Sequence, residues 1–337
     1  MFDNLRRTAA LYRNGDRIRA QLVPDDEVVI DLPEAFLHDA LAAAGVGLFG
    51  PAADLLAALR LRGDWAARSQ AVAHLARRAS IFPTWLEDWR RADPHCPDQL
   101  LVRATCMILE AWNVRGDGRA ILLEEDQVRA FLALLDDATA VLKVAMAAAP
   151  EDPEPWAQVL VLAKGLDAHA IDFDACRATL VDIDPDHFLG HRSALIYLTP
   201  KHHGSREAMF QYAEQASAGR PATSRLHTLP LVAFTEYLFD PTDRDRTEWM
   251  SYRDGAVERA TAWIESIDTA DPAGVAETRN MLAWVHLAQK EFAPAHAQFI
   301  AIGARAASYP WHYFGDARTE FLSLRNVVAT HIAAGHR

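Results

Sequence analysis

The residues best spaced for chemistry lie near the middle of the chain, in Asp184-Pro-Asp186-His187-Phe188-Leu-Gly-His191, followed by His202-His203. With 186–198 helical, His187 and His191 stand one turn apart on one face. Two imidazoles so placed could hold a divalent metal, with Asp184 or His203 as a third ligand and His202 alongside. The spacing is not that of a zinc protease, because Phe188 stands where the general-base Glu is needed. The competing reading is structural: histidines at a helix start also cap, stack or face solvent. No pair of carboxylates completes a metal box here.

Other chemistry-bearing groups read more simply. Glu124-Glu125-Asp126 fits a helix N-terminus, where the dipole favours negative charge, and Asp136-Asp137 fits an exposed face. Cys106 and Cys176 sit in apolar helical stretches and read as small buried hydrophobes. Cys96, in a turn beside His95, is the most exposed of the three. There is no Cys-x-x-Cys spacing, no G-x-S-x-G elbow, no phosphate-binding Gly loop and no dinucleotide fingerprint. The expectation is no cofactor; a divalent metal enters only with the histidine reading.

Aromatic residues form two groups. Tyr309-Pro-Trp311-His-Tyr313-Phe314-Gly-Asp316 precedes the last helical stretch, and Phe82-Pro83-Thr84-Trp85 with Trp89 follows an earlier helical pair. Such rings either plug the ends of hairpins or line a recognition pocket, where Trp and Tyr are the usual anchors.

The elements that must position these groups are helices. Leu100, Leu101, Ala104, Ile108 and Trp112 recur at helical steps, as do Val128, Phe131, Leu132, Leu135 and Leu142. Met281, Leu282, Val285 and Ala288 follow the same rule, and so do Phe314, Phe321, Leu324 and Val328. Only Val28–Ile30 hints at a strand. Gly63-Asp64 breaks 55–62 from 65–79 as a helical hairpin would, and Gly116–Gly118 breaks another pair. Asp240–Glu248 reads as an exposed loop before a helix over 249–267. Asp-Pro pairs at 93–94, 152–153, 184–185, 240–241 and 271–272 suit helix starts, where Pro costs no hydrogen bond and Asp can cap free amides.

Composition bounds the function. The chain has 337 residues, half of them apolar, and a net charge of −12 from 46 acidic and 34 basic residues. That balance is that of a folded chain, and the acidic excess disfavours general nucleic-acid binding. Three cysteines without paired spacing point to a reducing cytoplasm. The N-terminus, Met1-Phe-Asp-Asn-Leu-Arg-Arg, lacks the apolar stretch of a secretory signal, and the apolar run 41–50 is far short of a membrane span. Heavy use of Ala, Arg and Asp suggests a bacterial, high-GC source.

Residues 278–303 carry a resemblance. Leu282-Ala283 and His286 stand at the Leu-Gly and Tyr places of a tetratricopeptide repeat, Phe292 at its turn aromatic, and Ala295 and Phe299 at its Ala-x3-Phe. His286 departs from the usual aromatic, and no proline closes the unit. Pro200-Lys-His-His-Gly-Ser-Arg-Glu-Ala-Met209 is similar to a Pro-Lys-Trp-x-Gly-Ser-x-Glu-x-Met segment of uncharacterised bacterial helical-repeat proteins, with His202 at the Trp place. The resemblance implies an all-α fold, an array of antiparallel helical hairpins forming a tetratricopeptide-like α-solenoid. Residues 1–50 would be an atypical helical cap and 51–337 one continuous repeat domain.

The same resemblance implies a binding role, with Glu277, Asn280 and Trp284 on the concave face. Together with Trp311 and Tyr313 of the aromatic group, they are the expected contacts of a protein or peptide partner. The acidic balance favours a neutral or basic one. The alternative is a metal-dependent helical enzyme built on His187, His191, His202, His203 and Asp184.

Overall fold

The computed structural model describes residues 14–116, 124–166, 171–240, 249–267 and 271–336. Several sequence-derived expectations lie partly or wholly outside them: the first 13 residues of the expected 1–50 cap, including Met1–Arg7, all but the first residue of both the Gly116–Gly118 break and the 240–248 loop, and the second residue of the Asp-Pro pair at 240–241. The described chain is all-helical apart from one two-residue strand pair. It divides into two compact units, Pro33–Tyr212, and Met1–Leu32 together with Ala213–Arg337.

In Pro33–Tyr212 the helices are α1 (His38–Gly45), α2 (Gly50–Arg62), α3 (Trp65–Ile81), α4 (Thr84–Ala92), α5 (Pro97–Arg115), α6 (Glu125–Ala148), α7 (Glu154–Ala163), α8 (Phe173–Ile183) and α9 (Phe188–Tyr197). Gly63 ends α2 in the left-handed conformation at φ 66°, which costs glycine no Cβ clash. Asp64 then starts α3 by accepting the Ala67 N–H at 3.3 Å. Ala71, Val72, Leu75, Ala76 and Ala79 make one buried stripe on α3, and Phe131, Leu135, Ala138, Leu142 and Ala145 make another on α6. Leu132, expected in that second stripe, is exposed, because the steps of four and three through Phe131 centre the buried face about 100° away from it.

The Asp-Pro punctuation has a local cause. The carboxylates of Asp93, Asp152 and Asp184 each accept the amide two residues on, at 3.3, 3.0 and 3.1 Å. These Asx turns carry the chain across proline into the next helix.

The second unit contains α11 (Leu229–Leu238), α12 (Met250–Ser266), α13 (Pro272–Ala288), α14 (Phe292–Ile302) and α15 (Ala317–Ala333); α10 (Arg206–Ser217) leads into it. Gly204 and Ser205 prepare α10. A Cβ at Gly204 would lie 2.2 Å from the Leu198 carbonyl oxygen, and the Ser205 hydroxyl accepts the Ala208 N–H at 3.1 Å. All ten residues of α11 are buried, as an apolar helix at the centre of a core must be. Ala283 of α13, Ala295 and Phe299 of α14, and Phe321 and Val328 of α15 form one cluster with Trp311. Three residues join α13 to α14, with Lys290 at φ 62°. His286 bonds Glu291 at 2.7 Å across this turn, and Arg253 bonds the same carboxylate.

The strand hint at Val28–Ile30 becomes β1 (Val29–Ile30), which pairs in parallel with β2 (Arg305–Ala306). Arg325 and Arg318 of α15 hold this N-terminal segment by donating to the Val23 and Val28 carbonyls at 3.0 and 3.2 Å. No helix among the described residues is long and apolar enough to cross a membrane.

Candidate functional site

His187 caps α9: its Nδ1 accepts the Gly190 N–H at 3.2 Å, so the ring proton sits on Nε2. That proton points at Glu154 Oε2, 3.1 Å away. Glu154 also accepts from Gln158 Nε2 at 2.9 Å and from the Ser69 hydroxyl, and it is fully buried. Burial alone would raise the Glu154 pKa, but these donors outweigh it and lower it. Burial disfavours the His187 imidazolium, while the Glu154 carboxylate more than offsets this and raises the ring pKa.

A second ionic group adjoins through the Glu154 N–H, which donates to Asp152 Oδ1 at 3.0 Å. Arg68, with no exposed surface, donates to Asp152 Oδ2 at 3.0 Å, Asp98 Oδ1 at 2.7 Å and the Leu56 carbonyl at 2.9 Å. Arg60 reaches Asp98 from the partly exposed side at 3.2 Å. Burial raises the Asp152 pKa in spite of Arg68.

The order of groups decides what this cluster can do. In a nucleophilic relay the imidazole stands between hydroxyl and carboxylate and takes the hydroxyl proton. Here Ser69 donates to Glu154, and although its oxygen lies 3.4 Å from His187 Nε2, that nitrogen already carries a proton and Nδ1 accepts from Gly190, so the ring has no free lone pair to take the hydroxyl proton. Every group has protein partners, and the arrangement ties α3, α5, α7 and α9 together.

Of the other expected metal ligands, His191, His203 and Asp184 are engaged in contacts of their own. His191 Nε2 lies 3.0 Å from the Pro185 carbonyl, so it carries the proton, and Nδ1 accepts from the Tyr212 hydroxyl at 2.9 Å. The His203 ring packs on Tyr197 with centroids 4.5 Å apart. The His202 backbone amide bonds the Thr199 carbonyl, and Asp184 closes its Asx turn. Among the described residues no group of three His, Cys, Asp or Glu side chains could hold a metal ion. Burial, with Glu110 beside it, pushes the Cys106 thiol up to about 12, and burial also raises Cys96 and Cys176; thiols held protonated are poor nucleophiles. Glu124 and Gln127 form a capping box at the start of α6, and Asp136 and Asp137 are exposed.

The aromatic groups divide between interior and surface. Trp85 and Trp89 are buried. So is Trp311, whose Nε1–H donates to Asn280 Oδ1 at 2.6 Å, while Asn280 Nδ2 donates to the Ala276 carbonyl at 2.7 Å. Asn280 and Trp311 are therefore an internal pair with no surface to offer. Glu277 is partly buried and bonds Arg225 at 2.7 Å. Tyr309 and Tyr313 both donate to Glu236 at the end of α11, at 3.0 and 2.9 Å.

Tyr313 and Phe314 reach the surface, 38% and 42% exposed. Phe239 lies among them, with ring centroids 4.5 Å from Tyr313, 5.3 Å from Phe314 and 5.3 Å from Trp284. Trp284 meets Phe314 edge-on at 4.9 Å, and its indole N–H has no hydrogen-bond partner among the described residues. Phe239 is new to this group; Phe314 belongs to the aromatic run read as a possible recognition pocket, and also fits a helix stripe because it falls seven residues before Phe321.

The sequence search also missed Arg68, Asp98, Asp152, Glu154 and Ser69. The available signal was Arg68, a charge three and four residues before Ala71 and Val72 in an apolar stripe. Asp98 and Glu154, each directly after a proline at a helix start, were the second clue.

Fold and site define an all-helical protein with a saturated ionic cluster in one unit and a partly exposed aromatic surface in the other. Comparison with protein-family models, with curated proteins and with solved structures finds no match.

Proposed function

We propose that the chain is a helical-repeat scaffold of tetratricopeptide-like hairpins that captures a neutral or basic protein segment through the surface around Trp284. One observation carries the reading: Tyr313 and Phe314 are large rings left partly in water beside a Trp284 indole donor that no group among the described residues satisfies. Aromatic residues of this kind anchor recognition surfaces because they bury much area at little entropic cost. An unmet buried donor is destabilising by about 1–3 kcal/mol, so an incoming carbonyl that reaches it recovers that penalty. The net charge of −12 favours lysine or arginine flanking the anchor. Hairpins such as α2–α3 and α13–α14 support the repeat reading.

In this reading Tyr313 is part of the surface, Glu277 is committed to Arg225, and Asn280 and Trp311 contribute by holding α13 against the 309–314 segment. The test is selection from a displayed random peptide library on immobilised full-length protein. Wild type should enrich peptides combining an aromatic or aliphatic anchor with basic residues, and Trp284→Ala with Phe314→Ala should lose them. Equal enrichment by wild type and the double variant sinks the proposal.

A further inference from the structure

Away from the aromatic surface, α13, α14 and β2 leave a cleft of about 220 Å³, lined by Val275, Ala276, Arg279, Ala301, Ile302 and Arg305. Four of these side chains are aliphatic. The charge comes from two guanidiniums, and that of Arg279 is uncompensated: Nη1 donates to the neutral Gln298 amide oxygen at 3.2 Å, and no carboxylate among the described residues pairs with it. Gln298 holds the guanidinium in place without cancelling its charge.

The acids of α13 are turned to other work. Asp271 accepts the Gly274 N–H at 2.8 Å and faces Arg225 at 3.6 Å, while Glu277 bonds Arg225 at 2.7 Å. Pro272 also lines the cleft, which puts the N-terminal, positive end of the α13 dipole beside it.

We propose that this cleft binds a small monocarboxylate with an aliphatic tail. The free edge of the Arg279 guanidinium, Nε and Nη2, offers the parallel donor pair that a carboxylate takes in bidentate fashion. The tail lies on Val275, Ala276, Ala301 and Ile302. Size sets the chain length: an apolar cavity of about 150 Å³ holds the six carbons of benzene, so this cleft takes about nine heavy atoms, the size of heptanoate. Trp284 lies five residues beyond Arg279, well round the helix, so the inference is independent of the aromatic surface.

Ligand-observed NMR titration of the full-length protein with heptanoate, heptan-1-ol and heptylammonium tests the proposal. Heptanoate should bind saturably, and the alcohol and the amine should not. Arg279→Gln should weaken heptanoate about tenfold or more, the loss expected for a charge-assisted pair. Ala301→Phe, at an exposed position, should block the cleft while leaving the thermal midpoint unchanged, and Trp284→Ala should leave heptanoate binding as it is. Absence of saturable heptanoate binding overturns the inference. So does equal binding of heptan-1-ol, or undiminished binding by Ala301→Phe. If Arg279→Gln does not fold, the Ala301→Phe and alcohol comparisons still decide.

Discussion

The ionic cluster around Arg68 and the aromatic surface around Trp284 use their polar groups in opposite ways. Arg68, Asp98, Asp152, Glu154, Ser69 and His187 are bonded to one another inside Pro33–Tyr212, with partners 84 and 85 residues apart in sequence for Arg68 to Asp152 and Ser69 to Glu154. Trp284 keeps an indole N–H with no acceptor among the described residues, next to rings that water still reaches. A cluster whose donors and acceptors are all taken has little left to give a ligand, and it fixes helices. A surface with an unmet donor and wet apolar area gains from a partner.

The largest effect expected on this contrast is that of Arg68→Met. It leaves Asp152 buried without its cation and Asp98 with the partly exposed Arg60 alone, and should destabilise the protein by about 3–5 kcal/mol in denaturant unfolding. A loss below about 1 kcal/mol would mean that the cluster does not hold the helices. Asn280→Ala comes next. It strands the Trp311 indole in the interior, at a cost of about 1–3 kcal/mol by the same measurement. A loss of peptide capture with unchanged stability would return Asn280 to the binding surface.

The pH dependence of the cluster follows from the directions of its shifts. Glu154 titrates below its ordinary 4.5, so its contribution is complete above that value and disappears as pH falls through the lowered one. His187 is raised above 6.5, so its ionic contribution is present below 6.5 and fades as pH rises through the raised value. A second ring proton would sit on Nδ1 and break the Gly190 cap, which limits that gain. The unfolding midpoint should therefore fall on acidification below pH 4.5, and Glu154→Gln should flatten that fall; an unchanged acid limb would contradict the assignment.

The smallest effect is expected at the other region. Trp284→Phe removes an unsatisfied donor while keeping a ring, so stability should change by less than about 1 kcal/mol. Peptide capture should weaken. A large loss of stability would show that the indole is part of the core.

Much of the fold was legible because helical periodicity is local. Residues three and four apart share a face whatever the rest of the chain does, so stripes such as Leu101, Ala104 and Ile108 follow from it; the Gly63-Asp64 break follows from glycine's freedom, and the Ala283, Ala295 and Phe299 contacts are what the tetratricopeptide resemblance implies. The same rule misled at Leu132 and Phe314. Apolar spacing there fitted a stripe, but the helix face and the helix start were each displaced slightly from the pattern.

The sequence by itself determined that this chain is helical, where Asp-Pro turns and glycine stops divide it, and which stripes are buried. Only the tertiary structure decided which charges meet. Arg68 finds Asp152, and Trp311 finds Asn280 rather than a partner. Polar side chains choose neighbours by position in space, and desolvation makes those choices strict: a buried donor must be met by whatever packing brings near it, or remain unmet as in Trp284.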